Sequence, residues 1–267
     1  MDLGLSGKRA LVTGASRGLG FAIARALARE GATVAMVART ADTLARAAHD
    51  IATESARSGG RLPIPIAGEV GDAEATAHVV AAAEAALGGI DILVANAGGP
   101  PSTTFATTTD AQYRAALETN LLGSIRLAQG CVPAMRERRW GRVIFVTSMS
   151  AKQPLPGLLL SNTARAGILG FAKTLATECA PDGVLVNTVL PGHFDTDRAR
   201  ELAEMRAARE GRPVEQLLAE RVRGIPVGRS GEPDEFAAVV TFLASERASF
   251  VTGVALQVDG GQVSSLY

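Results

Sequence analysis

Between Ser148 and Arg165, four side chains have the types and spacing for work on a carbonyl group: Ser148, Lys152, Ser161 and Arg165. A serine hydroxyl can hydrogen-bond the carbonyl oxygen. A guanidinium can stabilise charge developing on that oxygen, but it releases no proton near neutral pH. Lys152, desolvated beside Arg165, would have its pKa pushed down towards a range useful for proton transfer. Ser161 and Arg165 stand four residues apart in a helical stretch, so both side chains fall on one helix face. Ser161 can bind an oxygen, but its alcohol pKa lies far above the value of about 10 of a phenol, so it is badly matched as an acid. His193, after Pro191-Gly192, titrates in the physiological range and is a further proton-donor candidate. His49 and His78 fall on helices rich in alanine and charge, where surface placement is expected. No His/Cys/Asp cluster has ligand spacing, so no metal is expected, and Gly-x-Ser-x-Gly is absent.

Short apolar runs alternate with longer helical stretches, and these must position the candidates. Strands are read at Ala10–Val12, Thr33–Val37, Leu62–Ile66, Ile90–Val94, Arg142–Val146, Leu185–Val189 and Ala255–Val258. Pro63 and Pro65 predict an irregular or edge-like start for the third. Helices are read over 18–29, 41–55, 73–87, 110–136 and 158–177. Strands separated by helix-length crossovers imply a parallel sheet covered on both faces. The segment Asp195–Gly224, rich in Arg, Glu and Ala, interrupts the path from the sixth strand near the strands' C-terminal ends. Ligands of open α/β sheets bind there, so it is read as a helical lid.

Thr13-Gly14-Ala15-Ser16-Arg17-Gly18-Leu19-Gly20 follows the first strand and opens the first helix. Its glycines permit a tight turn and close backbone approach, and the helix N-terminus offers free N–H groups to a pyrophosphate. The fold class expected is therefore α/β: one Rossmann-type doubly wound domain over residues 1–267, with a seven-stranded parallel sheet. A site for NAD places an acidic residue at the end of the second strand. Here that end reads Val37-Ala38-Arg39-Thr40, and Arg39 with Arg17 could clasp a 2′-phosphate, favouring NADP(H) over NAD(H).

Lys+Arg and Asp+Glu both total 27, so no overall field attracts nucleic acid or an anionic membrane. Cys131 and Cys179 match no metal or redox spacing and are read as buried free thiols of a reducing cytosol. With no secretory signal and no bilayer-length apolar run, a soluble cytoplasmic protein is expected.

These residues, in this order, resemble the short-chain dehydrogenase/reductase family over nearly the whole chain. Thr13-Gly14-(x)3-Gly18-Leu19-Gly20 matches its cofactor loop, and Asn96-Ala97-Gly98 the tail of its Asn-Asn-Ala-Gly motif, with Ala95 replacing the first Asn. Asn120 matches its helix asparagine and Ser148 its catalytic serine. Pro191-Gly192 followed by Thr196 is similar to the segment that touches the nicotinamide carboxamide. Ile225–Arg229 and Val258–Gly261 resemble C-terminal signatures of bacterial 3-oxoacyl-carrier-protein reductases. The family's Tyr-(x)3-Lys pair, which protonates the alkoxide and holds the nicotinamide ribose, aligns with Ser161 and Arg165, so the departure is a substitution in register. Tyr113 aligns where the family often packs a large aromatic between helices, and Tyr267 could serve only by docking across a subunit interface.

The resemblance implies an oxidoreductase interconverting a carbonyl and an alcohol, acting on a small-molecule or acyl-thioester substrate. Lys152, or a water held by Ser161 and Asn120, would move the proton. The altered pair leaves two alternatives, a nucleotide-binding protein with little turnover and a non-redox elimination or isomerisation. The resemblance also implies a homo-oligomer, a tetramer or dimer, built on the helices near 110–136 and 158–180.

Overall fold

The computed structural model describes residues 1–58 and 61–266, without the side chains of residues 56–58, 198, 202, 206 and 209. Seven parallel strands form one sheet in the order β3-β2-β1-β4-β5-β6-β7. They are β1 Arg9–Thr13, β2 Thr33–Ala38, β3 Ile64–Ala67, β4 Ile92–Asn96, β5 Gly141–Val146, β6 Val184–Pro191 and β7 Ala255–Val258. The central strands are apolar almost throughout because both faces are covered, and all six residues of β5 are buried. β3 lies at the sheet edge, with Pro65 paired opposite Met36, as the prolines predict. It begins at Ile64, so Leu62 and Pro63 belong to the approach.

The helices are α1 Gly18–Arg29, α2 Ala41–Ser58, α3 Ala73–Leu87, α4 Asp110–Leu117, α5 Gly123–Glu137, α6 Leu159–Cys179, α7 Asp197–Glu210, α8 Val214–Arg223 and α9 Pro233–Ala244. One face of the sheet buries Ile23, Leu27, Leu44 and Phe236 from α1, α2 and α9. The other buries Val79, Leu127, Met135 and Ile168 from α3, α5 and α6. The single helix expected over 110–136 is two. Residues Glu118–Leu122 form a π-helical turn between α4 and α5, and Asn120 is buried in it. The Ala/Leu pattern runs on through this turn, so periodicity does not reveal it. π-turns of this kind concentrate at functional sites.

The reversal of strand order at β1 and β4 opens a crevice at the C-terminal ends of the strands. At the opposite end, Arg9 grips Asp91 through Nε–Oδ2 at 2.8 Å and Nη2–Oδ1 at 2.6 Å, joining the starts of β1 and β4. Trp140, before β5, lies between the Lys8 ammonium, 3.7 Å from its ring centroid, and the Arg142 guanidinium at 4.5 Å. A cavity of about 470 Å³ beside these residues is therefore remote from the crevice.

Helix α6 carries Ser161 and Arg165 and is held on the sheet partly by an edge-to-face pair. Phe171 meets Phe145 of β5 with ring centroids 5.8 Å apart at 68°. Phe171→Leu retains bulk but loses that pair, and is expected to lower stability by about 0.5–1.5 kcal/mol. A reduced urea midpoint with an unchanged m-value would show it.

Candidate active site

The glycine loop is fixed from beneath by two polar residues. Thr13 Oγ1 donates to the Asn96 carbonyl at 2.8 Å and accepts from the Asn96 N–H at 2.9 Å. The Asn96 amide donates to the carbonyls of Thr13 at 3.2 Å and Gly14 at 3.4 Å. Gly14 has φ +62°, and a Cβ there would sit 2.7 Å from the Asn96 amide nitrogen. A Cβ on Gly20 would lie 2.2 Å from the Gly14 carbonyl oxygen. The loop therefore closes only with glycine at both positions. Helix α1 then begins without a side-chain cap and with no acid in its first turn, leaving N–H donors and the positive dipole end for an anion. A groove of about 600 Å³ adjoins it; Arg25 and Arg200 line it together with the carboxylates of Asp195, Asp197, Glu232 and Asp234, and Arg25 is paired with Asp234. Thr196 caps α7, its hydroxyl accepting from Ala199 N at 3.2 Å.

Arg17 and Arg39 differ in their surroundings. The Arg17 guanidinium pairs with Glu201 of α7 at 2.7 Å. Arg39 is exposed, and no ion pair engages it among the described residues. No carboxylate stands at the end of β2, in keeping with the sequence.

The altered pair is ordered and buried. Arg165 is 7% exposed; its Nη1 donates to the carbonyls of Val146 at 3.1 Å and Thr147 at 2.7 Å, and its Nη2 to Ala97 at 3.0 Å. Burial lowers its pKa to about 10, so it remains a cation at neutral pH. Three of its five N–H groups are thereby engaged with backbone, leaving Nε–H and one Nη2–H for a ligand. Ser161 Oγ lies 3.4 Å from Ser150 Oγ, and Ser150 is itself buried. Ser148 Oγ accepts from Ser150 N at 3.1 Å, which leaves its own O–H free to donate. Asn120 Oδ1 is buried without a protein partner among the described residues.

The proton-donor candidates separate here. The Lys152 ammonium donates to Gln257 Oε1 of β7 at 3.3 Å, so its partner is on the sheet rather than on α6. His193 does not titrate where its residue type suggests. Burial and the nearby Arg221 charge push its pKa from 6.5 to about 4. It is neutral at physiological pH. Tyr113 is half-buried on α4, and Tyr267 lies outside the described residues. Ser150, Gln257, Gln262 and Arg221 carry no motif, and only the folded chain brings them to the crevice. Thr13 stands inside the glycine-loop motif, where the spacing does not disclose its role as a brace. Among the described residues, no three His, Cys, Asp or Glu side chains are grouped to hold a metal.

A family model described as enoyl-(acyl carrier protein) reductase matches residues 14–262. The acetoacetyl-CoA reductase of Shinella zoogloeoides is 37% identical over 254 residues, covering 95% of this chain and 97% of that protein. The 3-oxoacyl-[acyl-carrier-protein] reductase of Aquifex aeolicus is 35% identical over 261 residues, covering 98% and 99%. Among solved structures, L-sorbose reductase from Gluconobacter frateurii, complexed with NADPH and L-sorbose, is similar at a TM-score of 0.93. It is 36% identical, with 100% of both chains covered.

Arg165→Met leaves the carbonyls of Ala97, Val146 and Thr147 without their donor, each at a cost of about 1–3 kcal/mol if no water replaces it. Denaturant melts should show that loss, and a smaller one for Arg165→Lys. For His193, the unfolded chain takes up a proton below pH 6.5 that the folded chain refuses until about pH 4. Stability therefore falls as pH drops through that window. His193→Gln is expected to flatten this slope in melts recorded from pH 4 to 7.

Proposed function

Because the chain belongs to the short-chain dehydrogenase/reductase family, whose members are NAD(P)-dependent oxidoreductases, we propose that it interconverts a carbonyl and an alcohol with NADP(H), on a small-molecule or acyl-thioester substrate. The observation that carries this reading is the braced cofactor loop, with Asn96 and Thr13 beneath it and the open α1 N-terminus above. The residues present fit a dinucleotide. Gly14, Ser16, Arg17, Gly18, Leu19 and Gly20 would hold its pyrophosphate; Asn96, Ala97 and Gly98 would flank its ring side; and Pro191, Gly192 and Thr196 would face the carboxamide. Arg39, unpaired at the end of β2, is the available cation for a 2′-phosphate. The sorbose reductase bound to NADPH supports this cofactor choice.

When bound, a reduced nicotinamide supplies hydride to the carbonyl carbon. Ser148 and Ser161 donate hydrogen bonds to the carbonyl oxygen, with Ser150 orienting both hydroxyls. Arg165 would use its remaining donors to hold the nicotinamide ribose, and its charge would stabilise the oxyanion. The proton comes from Lys152, or from a water held by Ser161 and by Asn120, whose Oδ1 has no protein partner among the described residues. The buried free thiols fit a cytoplasmic location, and no described helix is long and apolar enough to cross a membrane. The small exposed face of α6, with Ala166, Gly167 and Gly170, fits a subunit contact of a homo-oligomer.

NADPH oxidation with acetoacetyl-CoA and a panel of diketones tests the reading. Turnover is expected, and Lys152→Ala should lower kcat by about 10²-fold if its ammonium is the acid. Arg39→Ala should weaken NADPH binding about tenfold or more while sparing NADH. Tight NADPH binding with no turnover of any carbonyl would overturn the reading in favour of a nucleotide-binding protein.

A further inference from the structure

Beside the loop that follows β6, the structure gathers polar groups that neither the cofactor loop nor the serine cluster uses. His193 comes from that loop, Arg221 from α8 and Gln262 from the segment after β7. Gln262 Nε2 lies 2.9 Å from His193 Nδ1. An amide nitrogen only donates, so Nδ1 accepts and the ring proton resides on Nε2. The neutral imidazole thus presents an N–H donor. Gln262 Oε1 and Arg221 Nε are both buried with no protein partner among the described residues. Arg221 makes no ion pair among the described residues, and the one carboxylate that acts on its charge from a distance is Asp195. Burial lowers its pKa, so the fold bears the cost of holding a partly desolvated, unpaired cation.

The place of this cluster gives it meaning. His193 O accepts from Gly231 N at 2.9 Å, and Asp195 N donates to Gly231 O at 2.8 Å, so the loop is fixed by backbone bonds. The segment carrying Gln262 is tied at Asp259, whose carboxylate accepts from Val263 N at 2.8 Å. It then reaches the serine loop, where Ser264 N donates to Gln153 Oε1 at 3.1 Å. The same segment therefore meets Gln153 at Ser264 and His193 at Gln262, and a Cβ on Gly224, at the end of α8, would lie 3.9 Å from Gln262 Nε2. His193 follows β6, so this is the crevice side of the sheet.

We propose that Arg221, together with the His193 N–H, is a specificity-determining site for a carboxylate carried by the substrate, with Gln262 Oε1 accepting from a hydroxyl or water beside it. The inference rests on the oxidoreductase reading only for the word substrate; the site itself is a binding site. A guanidinium matches a carboxylate through two parallel N–H bonds, and its free Nε is one of the two donors that fork requires. The chemical class assigned is a short oxo or hydroxy acid. A phosphate borne on a thioester arm is the competing anion.

Calorimetric binding to the intact protein saturated with NADP+ tests this without requiring turnover. The probes are acetoacetate and levulinate, their methyl esters, and acetoacetyl-CoA. The acids are expected to bind about tenfold or more tightly than their esters. Arg221→Gln should erase that ratio, and Arg221→Lys should keep part of it. Because the readout is a ratio of two ligands on one preparation, a partly destabilised variant still reports. Equal affinities for acid and ester, no binding of either acid, or a ratio unchanged in Arg221→Gln would overturn the proposal. So would an Arg221-dependent preference confined to acetoacetyl-CoA, which would assign the site to phosphate. Acid binding with no reduction of any carbonyl would leave the site standing and remove the oxidoreductase reading alone.

Discussion

The crevice depends on one buried cation that has no carboxylate partner among the described residues. Arg165 reaches from α6 to the ends of two strands, donating to Val146 at the end of β5, to Thr147 just after it and to Ala97 after β4. Removing a guanidinium from water costs several kcal/mol. Charge-assisted bonds to oxygen return about 1.5–3 kcal/mol each, so the three carbonyls are enough to offset it. Because those carbonyls are backbone, the bonds also fix where the strand ends stop relative to the helix. The serine loop begins at one of these ends and the Asn96 turn at the other. The arginine is thus a structural tie between the half of the crevice suited to a cofactor and the half suited to a substrate.

A second brace lies beneath the glycine loop. Thr13 and Asn96 exchange hydrogen bonds across the β1–β4 junction, where the strand order reverses. That junction is where any open parallel sheet parts, and here the parting is held at a width set by two short polar side chains. The glycines above it leave no room for a side chain, and the first helix begins uncapped. A rigid floor under an unsatisfied helix end requires little rearrangement when an anion arrives.

How much is legible in the sequence depends on the range of each interaction. The strands are legible because burial on both faces makes them apolar without interruption, as in Ala10-Leu11-Val12 and Val143-Ile144-Phe145. The glycine loop is legible because its constraint is steric and local. Arg165 can be placed on the helix, yet its partners lie 18, 19 and 68 residues away, beyond the reach of any local pattern. His193 reads as a neutral-pH titrator because its residue type says so. Its actual environment comes from Arg221 and Gln262, which no local pattern links to it. Lys152 likewise finds Gln257, 105 residues on, and that partner redirects its ammonium to β7.

The π-turn at Glu118–Leu122 has a consequence for how this region can vary. Successive residues of an α-helix are rotated by about 100°, so a wider turn resets the angle between the helix before it and the helix after it. Helix α4 can thereby present Ala116 to the interior while α5 independently aims Leu127, Cys131 and Met135 at the sheet. The turn acts as a phase adjuster between two apolar stripes, with Asn120 at the point of adjustment. Deleting a single residue within α5, where no wide turn takes up the change, would swing the stripe beyond it by about 100°, out of the core. Length on either side of the turn is therefore held more tightly than length within it, and the turn is where this region can absorb an inserted residue.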